Sequence, residues 1–231
     1  MGKLYDELCE DYRIKEGLKT CINCGTCTAI CPAAEFYKYD PRKIVDTIQR
    51  QNDDEIEALL KSDTIWYCGE CMSCVTRCPR QNGPGLVIMA LRNLSIKKGW
   101  FVYSEKGRQV YPLTKIMTGN ILNYGYCIHP KTFKWEDHIE SGPVWKWHME
   151  HLEDSLARQG ANYMGDEGIL RKIPQESLDE LKAIFDITGG TERIETVNKY
   201  SAQKAEEMGM TPEEYEKYTF EYCSDKHFNN D

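Results

Sequence analysis

Hydrophobic residues recur at helical spacing along much of the first half of the chain, and no long stretch alternates with period two. Three segments are predicted to be helices on this basis: 40–48, 52–60 and 86–98. In the first of them Asp40 is an N-cap residue and Pro41 follows at the first helical position. The pattern therefore predicts a mainly α fold for this part of the chain.

The second half of the chain predicts helices and loops. Helices are expected over 143–158, ending before Gly160, and over 174–186, ending near the glycine pair at 189–190. A Thr-Pro-Glu-Glu sequence at 211–214 is a capping box and predicts a further helix start. The stretch 111–142 is aromatic and has little periodicity, so we expect it to wrap over another surface, either its own or a partner's.

Charge is distributed unevenly over the 231 residues. The formal net charge is −8, but residues 1–110 carry a net +1 and residues 111–231 a net −9. The acidic surplus argues against nucleic acid as a partner, because nucleic-acid binding relies on phosphate contacts. Without an apolar signal region at the N-terminus or an apolar run of about 20 residues, we expect a cytoplasmic protein with no direct membrane insertion.

The cysteines fall into two runs of the same spacing. Of the 11 cysteines, eight form two copies of C-x2-C-x2-C-x3-C-P, in which every position repeats at an offset of 47 residues. The first copy contains Cys21, Cys24, Cys27 and Cys31, and the second contains Cys68, Cys71, Cys74 and Cys78. This is an internal duplication with the spacing of bacterial ferredoxins. In a chain without an export signal, structural disulfides explain these cysteines poorly.

Two 4Fe–4S clusters are the predicted cofactors. In two-cluster ferredoxins the fourth cysteine of each run ligates the other cluster. The predicted ligands are therefore Cys21, Cys24, Cys27 and Cys78 for cluster 1, and Cys68, Cys71, Cys74 and Cys31 for cluster 2. The alternative is a pair of structural zinc sites built from C-x2-C pairs. Zinc does not account for the evenly spaced third cysteine or for the repeated Cys-Pro.

A helical domain with these two runs resembles the C-type component of heterodisulfide reductase and, more broadly, the helical ferredoxin domains of succinate dehydrogenase and anaerobic glycerol-3-phosphate dehydrogenase. The resemblance covers residues 1–110 and implies an α-helical ferredoxin domain with two 4Fe–4S clusters. Residues 111–231 form an acidic helical, loop-rich extension that we expect to make contacts with other subunits. This extension looks like that of the C-type component in the soluble heterodisulfide reductase-like complexes of sulfur oxidisers.

The resemblance implies an electron-transfer subunit that performs no catalysis itself. No Cys-Cys-Gly motif occurs in the sequence, and in this family that motif belongs to the catalytic B-type component. The implied partners are a flavin-containing protein like the family's A-type component and a Cys-Cys-Gly-containing, disulfide- or sulfur-handling protein like its B-type component. The alternatives are a freely diffusing two-cluster carrier, the electron-transfer subunit of another dehydrogenase, or a metal-stabilised interaction protein.

Several other residues have a possible functional role beside an ordinary structural one. Thr26 and Ser73 directly precede the third cysteine of each run, and their hydroxyls are predicted to bind the cofactors through a cluster sulfur; ordinary turn chemistry is the alternative. The segment 77–108 has a net charge of +6, which suits a docking face, compensation for anionic clusters or a solvated helix face. Cys9, Cys127 and Cys223 have no assigned role.

Overall fold

A computed structural model describes residues 2–130, 132, 142–161 and 165–225, without the side chains of 222–225. The chain divides into two compact units, Met1–Arg108 and Gln109–Asp231. This division lies two residues before the predicted boundary at 110. Within the described residues all regular secondary structure is helical apart from one isolated β-bridge between Ala161 and Ile169. This confirms the mainly α fold class.

The first unit is built from eight α-helices in its described residues. They are α1 (Lys3–Glu10), α2 (Tyr12–Gly17), α3 (Thr26–Ala29), α4 (Ala33–Phe36), α5 (Pro41–Gln49), α6 (Asp53–Leu60), α7 (Ser73–Arg77) and α8 (Pro84–Lys97). Short 3₁₀ helices lie at Thr64–Tyr67, Trp100–Tyr103 and Gly107–Gln109. The α8 helix packs against α2, α5, α6 and α7 and is the central element of this unit.

The predicted helix starts in the first unit are confirmed by their caps. The carboxylate of Asp40 accepts hydrogen bonds from the backbone N–H of Arg42 at 3.0 Å and of Lys43 at 3.3 Å. Asn52 caps α6 in the same way, accepting from the N–H of Asp54 at 2.9 Å. Each cap satisfies N–H groups that have no partner within the helix.

The core of the first unit lies between α8 and the helices around it. Its fully buried aliphatic side chains come from five helices and one 3₁₀ helix: Leu8, Ile14, Ile44, Ile48, Ile56, Leu60, Ile65, Val87, Ile88 and Leu91. A side chain of this kind contributes about 1.5–3 kcal/mol when it is removed from water. The hydroxyl of Ser95 donates to the carbonyl of Leu60 at 2.7 Å and links α8 to α6 inside this core.

The second unit contains six described α-helices. They are α9 (Val110–Tyr124), α10 (Gly142–Glu150), α11 (Leu152–Arg158), α12 (Gln175–Thr188), α13 (Gly190–Glu207) and α14 (Pro212–Asp225). The α9 and α13 helices pack against each other and against α12 and α14, around the buried Val197, Ala205 and Tyr215. The predicted capping box is confirmed, since Glu214 N–H donates to Thr211 Oγ1 at 3.2 Å and Thr211 N–H to Glu214 Oε2 at 2.8 Å.

Two predictions for the second unit differ from the structure. Residues 110–124 form α9, a helix that was not predicted from the weak periodicity of this stretch. Its apolar residues include the exposed Leu113 and Met117, so they do not mark a single buried stripe. The rest of that stretch includes 131 and 133–141, which lie outside the described residues. The helix predicted over 143–158 is interrupted at His151, whose Nδ1 lies 2.9 Å from the carbonyl of Trp147. In the part of the chain that is described, no helix has the length and apolar character needed to cross a bilayer.

Candidate metal centres

Each cysteine run begins with a turn that has two residues in the left-handed region. In the first turn these are Asn23 (φ 59°) and Gly25 (φ 82°), and in the second they are Glu70 (φ 54°) and Met72 (φ 58°). The offset of 47 residues therefore holds for backbone conformation as well as for the cysteines. Glycine and asparagine adopt this conformation readily, whereas Glu70 and Met72 are strained there. A short helix follows each turn, α3 after Gly25 and α7 after Met72.

Polar groups of each turn point at the cysteine sulfurs. The N–H of Asn23 donates to Cys21 Sγ at 3.4 Å, and the N–H of Glu70 donates to Cys68 Sγ at the same distance. Turns of this kind direct backbone N–H groups toward an anionic centre, and N–H donation to sulfur stabilises the thiolate form in which cysteine binds metal.

The two hydroxyl residues singled out from the sequence lie beside the second cysteine of each run. Thr26 Oγ1 is 3.3 Å from Cys24 Sγ, and Ser73 Oγ is 3.5 Å from Cys71 Sγ. The hydroxyl of Thr26 lowers the pKa of Cys24. Ser73 likewise lowers the pKa of Cys71. Both hydroxyls are thus placed next to sulfur atoms, and their role toward a bound cluster stays a prediction.

The first cavity is lined by three cysteines of the first run and by Cys78 from the second. The space between its walls measures about 370 Å³, part of which is open to solvent. The cysteines that line it are Cys21, Cys24, Cys27 and Cys78. Arg42, Val45, Arg80, Asn82 and Pro84 complete much of the wall. Burial raises the pKa of Cys27 to about 11, so ligation by an electropositive group is needed to hold this sulfur as thiolate.

The second cavity is lined by three cysteines of the second run and by Cys31 from the first. The space between its walls measures about 380 Å³, part of which is open to solvent, and its cysteines are Cys31, Cys68, Cys71 and Cys74. Tyr39, Pro41, Met72, Gly85 and Ile88 line the rest of its wall. Burial raises the pKa of Cys74, as it does at the equivalent Cys27.

Local packing brings the two runs together. The α3 helix packs against α7, so each run lies beside the other. The N–H of Gly83 donates to the carbonyl of Gly17 at 2.8 Å, and the N–H of Lys19 donates to Asn82 Oδ1 at 2.5 Å. These bonds fix the segment after Cys78 against the segment before Cys21. Gly85 is required where α8 meets the second run, because a Cβ there would lie 2.9 Å from Met72 Sδ.

Each cavity wall also contains a buried donor that lacks a well-formed hydrogen bond. Asn82 is 1% exposed and Tyr39 is 4% exposed; Nδ2 of Asn82 has no hydrogen-bond partner among the described residues, and the hydroxyl of Tyr39 makes no well-formed hydrogen bond there, although it interacts with the thiol of Cys68. An unpaired buried donor costs about 1–3 kcal/mol. A sulfur-rich anionic group in each cavity would supply the missing acceptor, so the residues present fit an iron–sulfur cluster.

The structure also shows residues that the sequence did not single out. Arg42, Tyr39 and Asn82 belong to no motif, and they reach the cavities only through the packing of α5 and of the loop before α8. Among the described residues, no three His, Cys, Asp or Glu side chains are grouped as ligands of a single metal ion. The cysteines of each run instead line the cavities described above.

The remaining singled-out residues have ordinary surroundings. Cys9 packs at the edge of the core and Cys127 is exposed, while the side chain of Cys223 lies outside the described residues. In the basic segment 77–108 several cations have local partners. These are Arg92 with the carbonyl of Cys68, Lys98 with Glu7, and Arg108 with the carbonyl of Val102.

Two cavities with four cysteines each in a helical domain define the class of protein: an iron–sulfur protein with two cubane-type centres. Comparison with known families agrees, because residues 17–82 match the family described as a 4Fe-4S dicluster domain. The chain therefore carries a dicluster domain with two 4Fe–4S clusters.

Curated relatives identify the family more closely, and all three described here are C-type components. One is the C component of the ferredoxin:CoB-CoM heterodisulfide reductase of Methanosarcina acetivorans. It is 47% identical to this chain over 83 residues, which is 36% of this chain and 32% of the relative. The C2 component of the H2/formate:CoB-CoM heterodisulfide,ferredoxin reductase of Methanococcus maripaludis is 40% identical over 96 residues, 42% of this chain and 50% of the relative. The iron-sulfur C component of the CoB--CoM heterodisulfide reductase of Methanopyrus kandleri is 36% identical over 103 residues, 45% of this chain and 50% of the relative.

The chain spans between a third and a half of the length of these relatives. Over this part it is similar to the C-type component of heterodisulfide reductase, and the similarity includes the dicluster domain. The resemblance stated from the cysteine runs is confirmed at the level of the family.

Proposed function

We propose that the eight cysteines ligate the two clusters in a crossed arrangement. Cys21, Cys24, Cys27 and Cys78 hold cluster 1 in the first cavity. Cys68, Cys71, Cys74 and Cys31 hold cluster 2 in the second cavity. The observation that supports this assignment is the composition of the two cavity walls, each of which takes its fourth cysteine from the other run.

Serine substitutions test the crossing. Cys24→Ser serves as the reference for loss of the first cavity's cluster, and Cys71→Ser as the reference for loss of the second. Both are suitable because only the fourth cysteine of each run changes cluster between the crossed and the uncrossed assignment. Crossed ligation predicts that Cys78→Ser matches Cys24→Ser in its EPR spectrum, and that Cys31→Ser matches Cys71→Ser. Iron content in each variant is expected to fall from about eight to about four per chain. The exposed Cys127→Ser is the matched control and keeps both clusters.

The opposite pairing of spectra would contradict the crossed assignment and leave each run with its own cluster. A variant with full iron and an unchanged spectrum would show that the substituted cysteine is not a ligand.

We further propose that the chain is the electron-transfer subunit of a heterodisulfide reductase-like complex. It relays electrons between a flavoprotein and a Cys-Cys-Gly-containing protein that handles a disulfide or another sulfur substrate, in sulfur oxidation. When bound, the clusters supply one-electron redox chemistry; the chain contributes the thiolates, the donors and a rigid core between the cavities. The names of the relatives support this proposal, because they are subunits of heterodisulfide reductases. The assignment to sulfur oxidation rests on the resemblance of the acidic extension.

The proposal places the complex in the cytoplasm, where thiols are kept reduced and available to bind metal. Purification of the tagged full chain under anaerobic conditions tests the assembly. We expect it to elute well above 26.8 kDa, the mass of one chain, together with a flavoprotein and a protein that contains Cys-Cys-Gly. Elution as a single chain with both clusters reducible by dithionite would instead indicate a freely diffusing carrier. Reduction of the clusters by a sulfur substrate through the co-purified complex would support sulfur oxidation.

A further inference from the structure

We propose that Arg42 and Arg80 raise the reduction potential of the cluster in the first cavity above that of the cluster in the second. This inference rests on the proposed cysteine assignment. It orders the two centres, so that electrons within the chain move from the second cavity toward the first. The features known to set cluster potentials are hydrogen bonds to sulfur, solvent exposure and nearby charge.

Hydrogen bonding to sulfur is matched between the two cavities. Each turn supplies one backbone N–H bond to its first cysteine at 3.4 Å. Each supplies one hydroxyl next to its second cysteine, at 3.3 Å in one run and 3.5 Å in the other. Each wall also contains one buried donor, Asn82 in the first cavity and Tyr39, which interacts with Cys68, in the second. Among the third cysteines, Cys27 is approached by the N–H and hydroxyl of Thr28, and Cys74 by the N–H of Gly85. Because the Thr28 hydroxyl donates to Asp40, hydrogen bonding to sulfur is nearly equal in the two cavities.

Solvent exposure is matched as well. In the first cavity Cys24 is exposed and the other three cysteines are half-buried. In the second cavity Cys71, at the equivalent position, is exposed and the other three are half-buried. The volumes of about 370 and 380 Å³ are also close. Exposure and size leave little reason for the two potentials to differ.

Charge is the feature that differs. The first cavity wall includes two guanidinium groups, on Arg42 and Arg80. The described wall of the second cavity contains no Lys, Arg, Asp or Glu. Outside this wall, the guanidinium of Arg92 donates to the carbonyl of Cys68 at 2.6 Å. Arg92 also forms an ion pair with Glu70 at 2.6 Å, so the pair adds little net charge.

The two arginines of the first cavity differ in how far they are neutralised. Arg42 donates to Asp40 at 3.0 Å and to Asn23 Oδ1 at 3.1 Å, so it is held in place while Asp40 offsets part of its charge. Arg80 Nε donates to the carbonyl of Thr20 at 3.4 Å and has no carboxylate partner among the described residues. Arg80 is therefore expected to supply most of the net field at this cavity.

The direction of the effect follows from electrostatics. Adding an electron makes a cluster more negative, so a fixed cation stabilises the reduced form more than the oxidised form. A guanidinium stays protonated throughout the pH range in which proteins are folded. The potential of the first cavity's cluster is thus raised at every working pH.

Potentiometric titration of the full chain with its clusters, monitored by EPR, tests this inference. Each cluster gives one redox transition, or wave, in the titration. The wave of the first cavity's cluster is the one that is lost in Cys24→Ser, and it is expected at the higher potential. Arg80→Gln should lower that wave alone, changing the oxidised-to-reduced ratio of this cluster at a fixed potential by about threefold or more, since the charge lies within a Debye length. Arg80→Lys should restore it. Lys97→Gln, which removes one exposed charge at the far end of α8, should move neither wave.

A higher potential for the wave lost in Cys71→Ser would overturn the inference. So would an Arg80→Gln variant that moves both waves equally or neither. These outcomes are distinct from a failure of the proposed ligation, which appears as the wrong pairing of spectra for Cys31→Ser and Cys78→Ser. They are also independent of the catalytic rate of any complex.

Discussion

Removal of the Tyr39 hydroxyl is the most direct test of how the second cavity stabilises its cluster. The side chain is 4% exposed, and its hydroxyl makes no well-formed hydrogen bond among the described residues, although it interacts with the thiol of Cys68. Burial, together with the neighbouring thiols of Cys68 and Cys31, raises the pKa of Tyr39, so the hydroxyl is protonated and available as a donor. Tyr39→Phe keeps the ring, including its edge contact with Tyr67 at 6.3 Å between centroids.

The magnitude follows from the strength of one charge-assisted hydrogen bond. Such a bond contributes about 1.5–3 kcal/mol. If about a third of that is gained only on reduction, Tyr39→Phe destabilises the reduced cluster by about 0.5–1 kcal/mol. For a one-electron couple, 59 mV corresponds to a tenfold change, so the midpoint potential falls by about 20–40 mV. The cluster-free protein behaves differently, because there the substitution removes a buried hydroxyl that makes no well-formed hydrogen bond and should leave stability unchanged or slightly raised.

The assay is an EPR-monitored redox titration of Tyr39→Phe beside the unsubstituted protein. The wave that Cys71→Ser abolishes should shift downward, and the other wave should stay in place. Tyr37→Phe is the matched control, because Tyr37 stacks on Tyr67 at 4.4 Å but does not line either cavity. An unshifted wave, or an equal shift in Tyr37→Phe, would refute the role assigned to the Tyr39 hydroxyl.

Two further predictions concern packing and capping in the first unit. Gly85→Ala places a Cβ 2.9 Å from Met72 Sδ and 3.7 Å from Cys74 Sγ, so iron analysis and EPR should show selective loss of the second cavity's cluster; equal loss of both would argue for general unfolding. Asp11→Ala removes the cap of α2 and its ion pair with Arg13, and urea unfolding should show a loss of about 0.5–2 kcal/mol at neutral pH. Hydrogen bonding from Arg13 lowers the pKa of Asp11, so its contribution is present above the ordinary carboxyl pKa and is lost as the pH falls through the folded-state value. The difference between the two proteins should therefore shrink in acid; a difference independent of pH would contradict this account.

Local rules predicted several helix starts in both units. Asp40, Asn52 and Thr211 form the expected caps, because a capping side chain needs only the N–H groups two or three residues ahead of it. The cysteine spacing is equally local, and the structure adds that the two turns repeat even in their left-handed backbone positions. Such features are set by neighbours in sequence and survive any tertiary arrangement.

The features that sequence patterns missed depend on the tertiary arrangement. Tyr39 and Asn82 reach the cavities because of how α5 and α8 pack, and no spacing rule connects either residue to the cysteines of the opposite run. The α9 helix was missed because part of its apolar surface is exposed. The break at His151 was missed because an imidazole that contacts a backbone carbonyl four residues earlier leaves no periodic signal.

The duplication also explains why the two centres are similar in some respects and different in others. The repeated turns give both cavities the same N–H, hydroxyl and exposure pattern, since those features lie inside the duplicated motif. The rest of each wall comes from segments outside the motif, where Arg42 and Arg80 line one cavity and Ile88 and Tyr39 the other. Ligation is therefore the same in both copies while the surrounding charge is free to diverge. The proposed difference in potential between two otherwise similar clusters would favour electron flow toward the first cavity, and its source is the unduplicated segments.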